Sequence, residues 1–277
     1  MLAAELVLSE PLRPCDSKGG AIPFSSREQS LTAQRAPTST VGKAKESCSN
    51  KATVEMFIPL KDLNPRRGYP VVNTVLILTN IAIFLYQLNL QFTVSPRAYQ
   101  AFLMANATIP ARIPAFLAGH VGFSTAFYPL FSSMFLHSGV LHIAGNMLFL
   151  WIFGDNVEDF FGHIPYLFFY LICGIGAGLV HVLFNFHSSV PAVGASGAIS
   201  GVMGAYALLY PRARVLALVF VFLVPVPAFF VLGYWFLLQF LAGISSLGAA
   251  ATGGVAVWAH VGGFLLGMLL TSLCRRG

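Results

Sequence analysis

Charge is what this chain has least of. Charged residues make up 9% of its 277 positions and hydrophobic residues 56%, where a soluble domain carries roughly a quarter charged residues. A water-soluble globular fold is thereby excluded. So is a nucleic-acid partner, because a basic binding face needs a charged soluble surface. Carboxylates are scarcer still: beyond Asp62 there are only Asp155, Glu158 and Asp159. With no internal repeat and no acidic residue at membrane depth, the chain does not read as a small transporter or metal permease. The four cysteines, Cys15, Cys48, Cys173 and Cys274, show neither disulfide nor metal-ligand spacing. Cys173 lies in an apolar run and reads as a small core residue. No cofactor is expected.

What is present is apolar sequence in bilayer-length runs. Residues 1–55 are polar, rich in Ser, Thr, Lys and Pro, and without hydrophobic periodicity, so they read as a disordered tail. Met56 directly precedes a better-organised segment and is expected to be the biological start, the tail being an upstream extension. Residues 56–277 then form one membrane domain, an all-α polytopic bundle of six segments near the ~20 residues a bilayer core requires. The expected segments are Val71 to Leu90, Val140 to Phe153, Pro165 to Phe186, Ser196 to just before Pro211, one within Val215–Leu241, and Val255 to Leu273. The three carboxylates fall at the inner end of the second, where they are expected to cap or orient a turn.

Ten of the sixteen Lys and Arg precede residue 68, and Arg212, Arg214, Arg275 and Arg276 form two later clusters. Basic residues gather on the cytoplasmic side of a membrane. The clusters precede segment one and follow segments four and six, so an N-in, C-in arrangement puts all three together. The same arrangement sets Ser196 and His260 near the outer face. Two stretches fit less well. Residues 91–137 carry too many aromatics for a solvated loop and are expected in the interface or outer leaflet. Residues 215–241 are too long for one helix, and Pro227 would break its interior. A loop through Pro227 and a fifth helix from about Ala228 resolve this.

Three constellations carry chemistry. Ser196 opens segment four, where free backbone N–H groups and the positive end of a helix dipole stabilise a developing oxyanion; the bland alternative is an N-cap serine in a small-residue packing motif. Gly197, Gly201 and Gly204 form a smooth strip that admits a close helix neighbour. The matching strip is Ala256, His260, Gly263 and Gly267 on segment six, and it brings an imidazole with it. At ~3 Å from the serine hydroxyl a neutral imidazole is a general base; otherwise it is a packed polar residue or a metal ligand. Third, His142 and Asn146 lie four apart on one helix face and offer two hydrogen-bond donors for an oxyanion, with His137 just ahead shaping the helix start. A zinc or proton site is the competing reading of these histidines.

Taken together and in order, His137-x4-His142-x3-Asn146, Gly194-Ala195-Ser196-Gly197 and Ala259-His260-x2-Gly263-x3-Gly267 resemble the motifs of the rhomboid intramembrane serine proteases, over residues 56–275. The resemblance implies a six-helix rhomboid-like bundle and a serine endopeptidase cleaving transmembrane segments of other membrane proteins within the lipid bilayer. Ser196 becomes the nucleophile and His260 its base, without an aspartate. His142, Asn146, Gly194 and His137 fall on the oxyanion and substrate-binding side, and no metal is implied. Helix five around Trp235, Phe236 and Gln239 would be the mobile flank where substrate enters. The sequence departs in one place: some members stack a tyrosine on the histidine one turn after the serine, and here that position is Ser200. The ring is then expected to rest on Tyr206, Phe264 or simple packing, with nothing to fix its tautomer and a modest rate as the consequence. His120, His163, His181 and His187 match no family motif and read as interfacial or structural. The minimal form points to a bacterial plasma membrane. The alternative is a non-catalytic relative that binds transmembrane clients and passes them on; it would have lost one member of the dyad.

Overall fold

A computed structural model describes residues 57–219, 221–246 and 256–275; the expected tail and the Met56 start lie outside the described residues. The chain runs β1 (Phe57–Asp62), α1 (Val71–Asn89), a π turn (Leu90–Val94), α2 (Pro96–Asn106), α3 (Arg112–Leu117), α4 (Phe123–Ser132), a 3-10 turn (Ser133–Phe135), α5 (Val140–Phe161) and α6 (His163–Phe184). It continues through α7 (Ser196–Leu209), β2 (Arg214–Val219), β3 (Phe222–Pro227), α8 (Ala228–Ser246) and α9 (Val257–Cys274). Helices α1 with its π turn, α5, α6, α8 and α9 are long and apolar enough to cross a membrane, and α7 is a shorter apolar helix. The mostly helical polytopic bundle agrees with the expectation. The protein is an integral membrane protein.

The shortest of these helices is the central one. Fourteen residues of α7 span about 21 Å, against a hydrocarbon core of ~30 Å. Every residue from Ser196 to Tyr206 is buried, because α5, α6, α8 and α9 all pack on it. A helix wholly enclosed by others need not reach both bilayer faces.

Helix α9 meets α7 backbone to backbone. A Cβ at Gly263 would overlap the carbonyl oxygen of Gly197, one at Gly267 the carbonyl of Gly201, and one at Gly204 the carbonyl of Phe264. On the side of α7 facing α6, a Cβ at Gly201 would come within 2.5 Å of the Cys173 Cβ, which makes Cys173 a packing residue. Such contacts exist only where small residues line both helices.

The irregular chain before α7 is braced by the aromatic stretch 91–137, which folds into the short helices α2 to α4. Thr108 and Ala192 exchange backbone hydrogen bonds of 3.1 and 2.8 Å, Ala111 N–H donates to Ser188, and Gly194 N–H donates to Ser133 at 2.9 Å. Non-helical backbone within a membrane is tolerated only where protein or a polar cavity satisfies it, and these bonds do so. Ser95 caps α2 through Ala98 N–H, with Pro96 at the first helical position.

At the opposite end the three carboxylates tie α1 to α5. Glu158 accepts from Val72 N–H at 2.9 Å and Asn73 N–H at 2.7 Å, and Asp159 accepts from Arg67 and Gly68 N–H. They satisfy the orphan donors at the α1 N-terminus and its approach. Asp155 lies 3.8 Å from the Arg66 guanidinium, and His163 pairs with Glu158. Helix α5 accordingly continues to Phe161, past the expected end at Phe153, since its last two turns are held by polar contacts with the rest of the protein.

The expected all-α class omits one feature. Strands β1, β2 and β3 form an antiparallel sheet in that order, so Arg214–Val219 and Phe222–Pro227 are paired strands where a loop was expected. Pro225 and Pro227 sit on β3, at the sheet edge where a missing N–H costs nothing. The helix does begin at Ala228.

Gly263→Val is expected to lower stability by about 3 kcal/mol or more, because backbone blocks the new side chain. Gly233→Ala, where nothing lies within 4 Å of a new Cβ, should be neutral or raise stability by up to about 1 kcal/mol. Unfolding in detergent micelles compares the two, and equal effects would refute the close α7–α9 contact.

Candidate active site

Ser196 begins α7, so the N–H groups of its first turn have no acceptor within the helix. Opposite it, on the second turn of α9, stands His260. The glycine contacts described above bring the two helices close enough that His260 Nε2 lies 2.8 Å from Ser196 Oγ. Both side chains are buried, His260 to 2% exposure. The other ring nitrogen, Nδ1, lies 2.7 Å from Gln239 Oε1 on α8. The Trp235 ring, one turn before Gln239, sits 5.9 Å from the imidazole, tilted at 42°.

These neighbours correct two expectations. Tyr206 does not hold the histidine ring; it packs against Phe153 and Tyr210. Phe264 packs on Trp235, and Trp235 takes the place beside the ring. Nor is the imidazole without a partner on its far side, since Gln239 occupies that position. The signal was available in the sequence: Gln239 is an amide in an otherwise apolar helix, four residues after Trp235 and so on the same face.

Across the serine, His142 and Asn146 lie on the first two turns of α5. Ser138 N–H donates to His142 Nδ1 at 3.3 Å, and the Ser138 hydroxyl lies 2.9 Å from the same nitrogen. With Nδ1 accepting, the ring proton is on Nε2, which is thereby a donor. That Nε2 faces Gly194: a Cβ built there would stand 2.8 Å from it and 3.6 Å from Ser196 Oγ. Gly194 has φ +131°, a conformation side chains resist, so the residue is required twice, by its backbone and by the ring beside it. Asn146 is fully buried, and neither atom of its amide has a partner in the protein. A buried amide left open in this way is costly.

His137 is not brought to the serine. It packs edge-on against His142, with ring centroids 5.2 Å apart. Gln87 on α1 clamps its backbone, accepting from His137 N–H at 3.0 Å and donating to its carbonyl at 3.1 Å. This clamp fixes where α5 starts and was not foreseen from the sequence. Among the described residues no three His, Cys, Asp or Glu side chains gather as a metal site. A cavity of about 40 Å³ adjoins Ser196, lined by the small residues Gly174, Ala177, Gly178 and Gly194 and also by Leu130, Met134 and His181.

Comparisons with known proteins show which family the chain resembles. A family model described as Rhomboid domain matches residues 124–277. Over 147 residues the chain is 31% identical to "Rhomboid protein 1, mitochondrial" of Saccharomyces cerevisiae, covering 50% of this chain and 40% of that protein. It is 42% identical over 81 residues to "Rhomboid protease GluP" of Bacillus subtilis, covering 29% of this chain and 15% of the relative. To "RHOMBOID-like protein 12, mitochondrial" of Arabidopsis thaliana it is 29% identical over 187 residues, covering 58% of this chain and 52% of the relative. The chain thus spans about half or less of the length of each.

Replacing Asn146 by leucine should leave thermal stability unchanged or raise it by about 1 kcal/mol, since an unpartnered buried amide is removed. A clear loss of stability, measured by unfolding in micelles, would mean that the amide serves the fold.

Proposed function

The chain belongs to the rhomboid family, and from that premise we propose that it is a serine endopeptidase that cleaves transmembrane segments of other proteins inside the bilayer. One observation carries the reading: His260 Nε2 stands 2.8 Å from Ser196 Oγ, the reach a general base needs to take the hydroxyl proton. Attack of Oγ on a peptide carbonyl transfers the hydroxyl proton to His260 and forms a tetrahedral oxyanion. The Ser196 backbone N–H, His142 Nε2–H and the Asn146 amide are the donors proposed for that oxygen. Collapse breaks the peptide C–N bond, and the imidazolium returns its proton to the leaving amine. Water, deprotonated by the same histidine, then hydrolyses the acyl-enzyme.

Gly194 leaves the oxyanion side open by having no side chain, and His137 supports His142 from behind. The cavity beside Ser196 suits a small side chain on the residue whose carbonyl is attacked. A substrate helix must unwind locally first, because its amides are shielded by their own turns; Gly or Ser near the cleavage point eases this. The basic clusters support an N-in, C-in orientation with the serine toward the outer face. The preference for a bacterial plasma membrane is withdrawn: two of the relatives just described are mitochondrial by name, so the minimal helical form does not distinguish the compartments. A client-binding relative without catalysis is disfavoured, since it has no need of a Ser–His contact.

Ser196→Ala and His260→Ala are each expected to abolish cleavage of a transmembrane reporter in proteoliposomes while leaving the fold intact. Asn146→Ala should lower turnover by ~10²-fold or less, as loss of one oxyanion donor does. Undiminished cleavage by either dyad variant would overturn the proposal.

A further inference from the structure

We infer that Gln239 is a positioning residue for the base, holding His260 as the Nδ1–H tautomer with the Nε2 lone pair aimed at Ser196; the inference rests on the protease reading above. A neutral imidazole carries one ring proton, and here each nitrogen has a single polar neighbour at close range, Ser196 Oγ at 2.8 Å and Gln239 Oε1 at 2.7 Å. To accept the serine proton, Nε2 must be bare, so the ring proton is on Nδ1 and needs an acceptor. An amide oxygen is an acceptor only. In the other tautomer the Nδ1 lone pair would face the lone pairs of Oε1, and Nε2–H would leave the serine without a base. With its oxygen turned to Nδ1, as it is here, Gln239 pairs with the reactive tautomer.

The position also explains why an amide stands there instead of a carboxylate. Gln239 is 2% exposed on a membrane-crossing helix, where an ionised side chain is costly. A triad carboxylate both orients its histidine and stabilises the imidazolium by charge. The amide supplies the orienting half alone, without a buried charge. Trp235 lies one turn earlier on the same helix and flanks the imidazole, so α8 confines the ring from two directions. Helix α8, the element expected to flank substrate entry, thereby carries a contact on which the base depends.

The test combines kinetics with ¹⁵N NMR of histidine-labelled protein in micelles, on wild type, Gln239→Leu, the near-isosteric Gln239→Met and Gln239→Glu. Loss of the acceptor in the Leu and Met variants is expected to lower kcat by about 10- to 100-fold with KM within about 2-fold, and to remove the Nδ1–H preference of His260 from the spectrum. Should the Leu variant fail to fold, the Met variant carries the comparison. Gln239→Glu becomes acceptor-only once its carboxyl ionises, so at alkaline pH it should exceed the Met variant in kcat. A Met variant with wild-type kcat, an unchanged tautomer signature, or Glu and Met variants of equal rate at every pH would each overturn the inference. A wild type inactive on the reporter whose tautomer preference still disappears in Gln239→Met would refute the protease reading and leave the role of Gln239 standing.

Discussion

The contact of α7 with α9 through bare backbone is the constraint on which the rest depends. Gly197, Gly201 and Gly204 face Gly263 and Gly267 so closely that a methyl group at Gly204, Gly263 or Gly267 would strike a carbonyl. In lipid, apolar side chains gain nothing by leaving one apolar medium for another, so helix association rests on van der Waals contact and interhelical hydrogen bonds. Glycine faces maximise the first, and the Ser196–His260 pair supplies the second. The same geometry that makes the helices adhere thus sets the distance between the Ser196 hydroxyl and the His260 imidazole.

Around that seam the protein separates support from chemistry. One end holds the carboxylates, Asn156 and the small sheet, which knit α1, α5 and the paired strands together. The other end holds the serine, the buried or half-buried imidazoles of His137, His142, His181 and His260, and an open amide. Polar groups at the first end are mostly paired with backbone donors. At the second, Asn146 and His137 retain buried polar atoms with no partner. On the proposed reading, the stability forgone at Asn146 is recovered when an oxyanion accepts from its amide.

Much of this was legible in the sequence. Helix positions follow from apolar length, and the pairing of Ser196 with His260 follows from two small-residue faces of matching period. The start of α8 was legible from Pro227. What the sequence concealed is tertiary. The end of α5 looked like the end of a membrane span because Asp155, Glu158 and Asp159 interrupt its apolarity, yet these residues bond to the approach and N-terminus of α1. Residues 214–219 are too short and apolar for periodicity to mark them as a strand, and their partner strand β1 lies some 150 positions earlier. The Gln239–His260 contact joins residues on different helices, so no local pattern reveals it, although a lone amide in an apolar helix was itself a clue.

The central claim is that the hydroxyl of Ser196 is activated by the imidazole it touches, and reaction with a fluorophosphonate followed by peptide mapping measures this most directly. The account predicts one covalent adduct, on the peptide containing Ser196, and none when His260 is replaced by alanine. An adduct on a different serine, or equal labelling of Ser196 without His260, would contradict it.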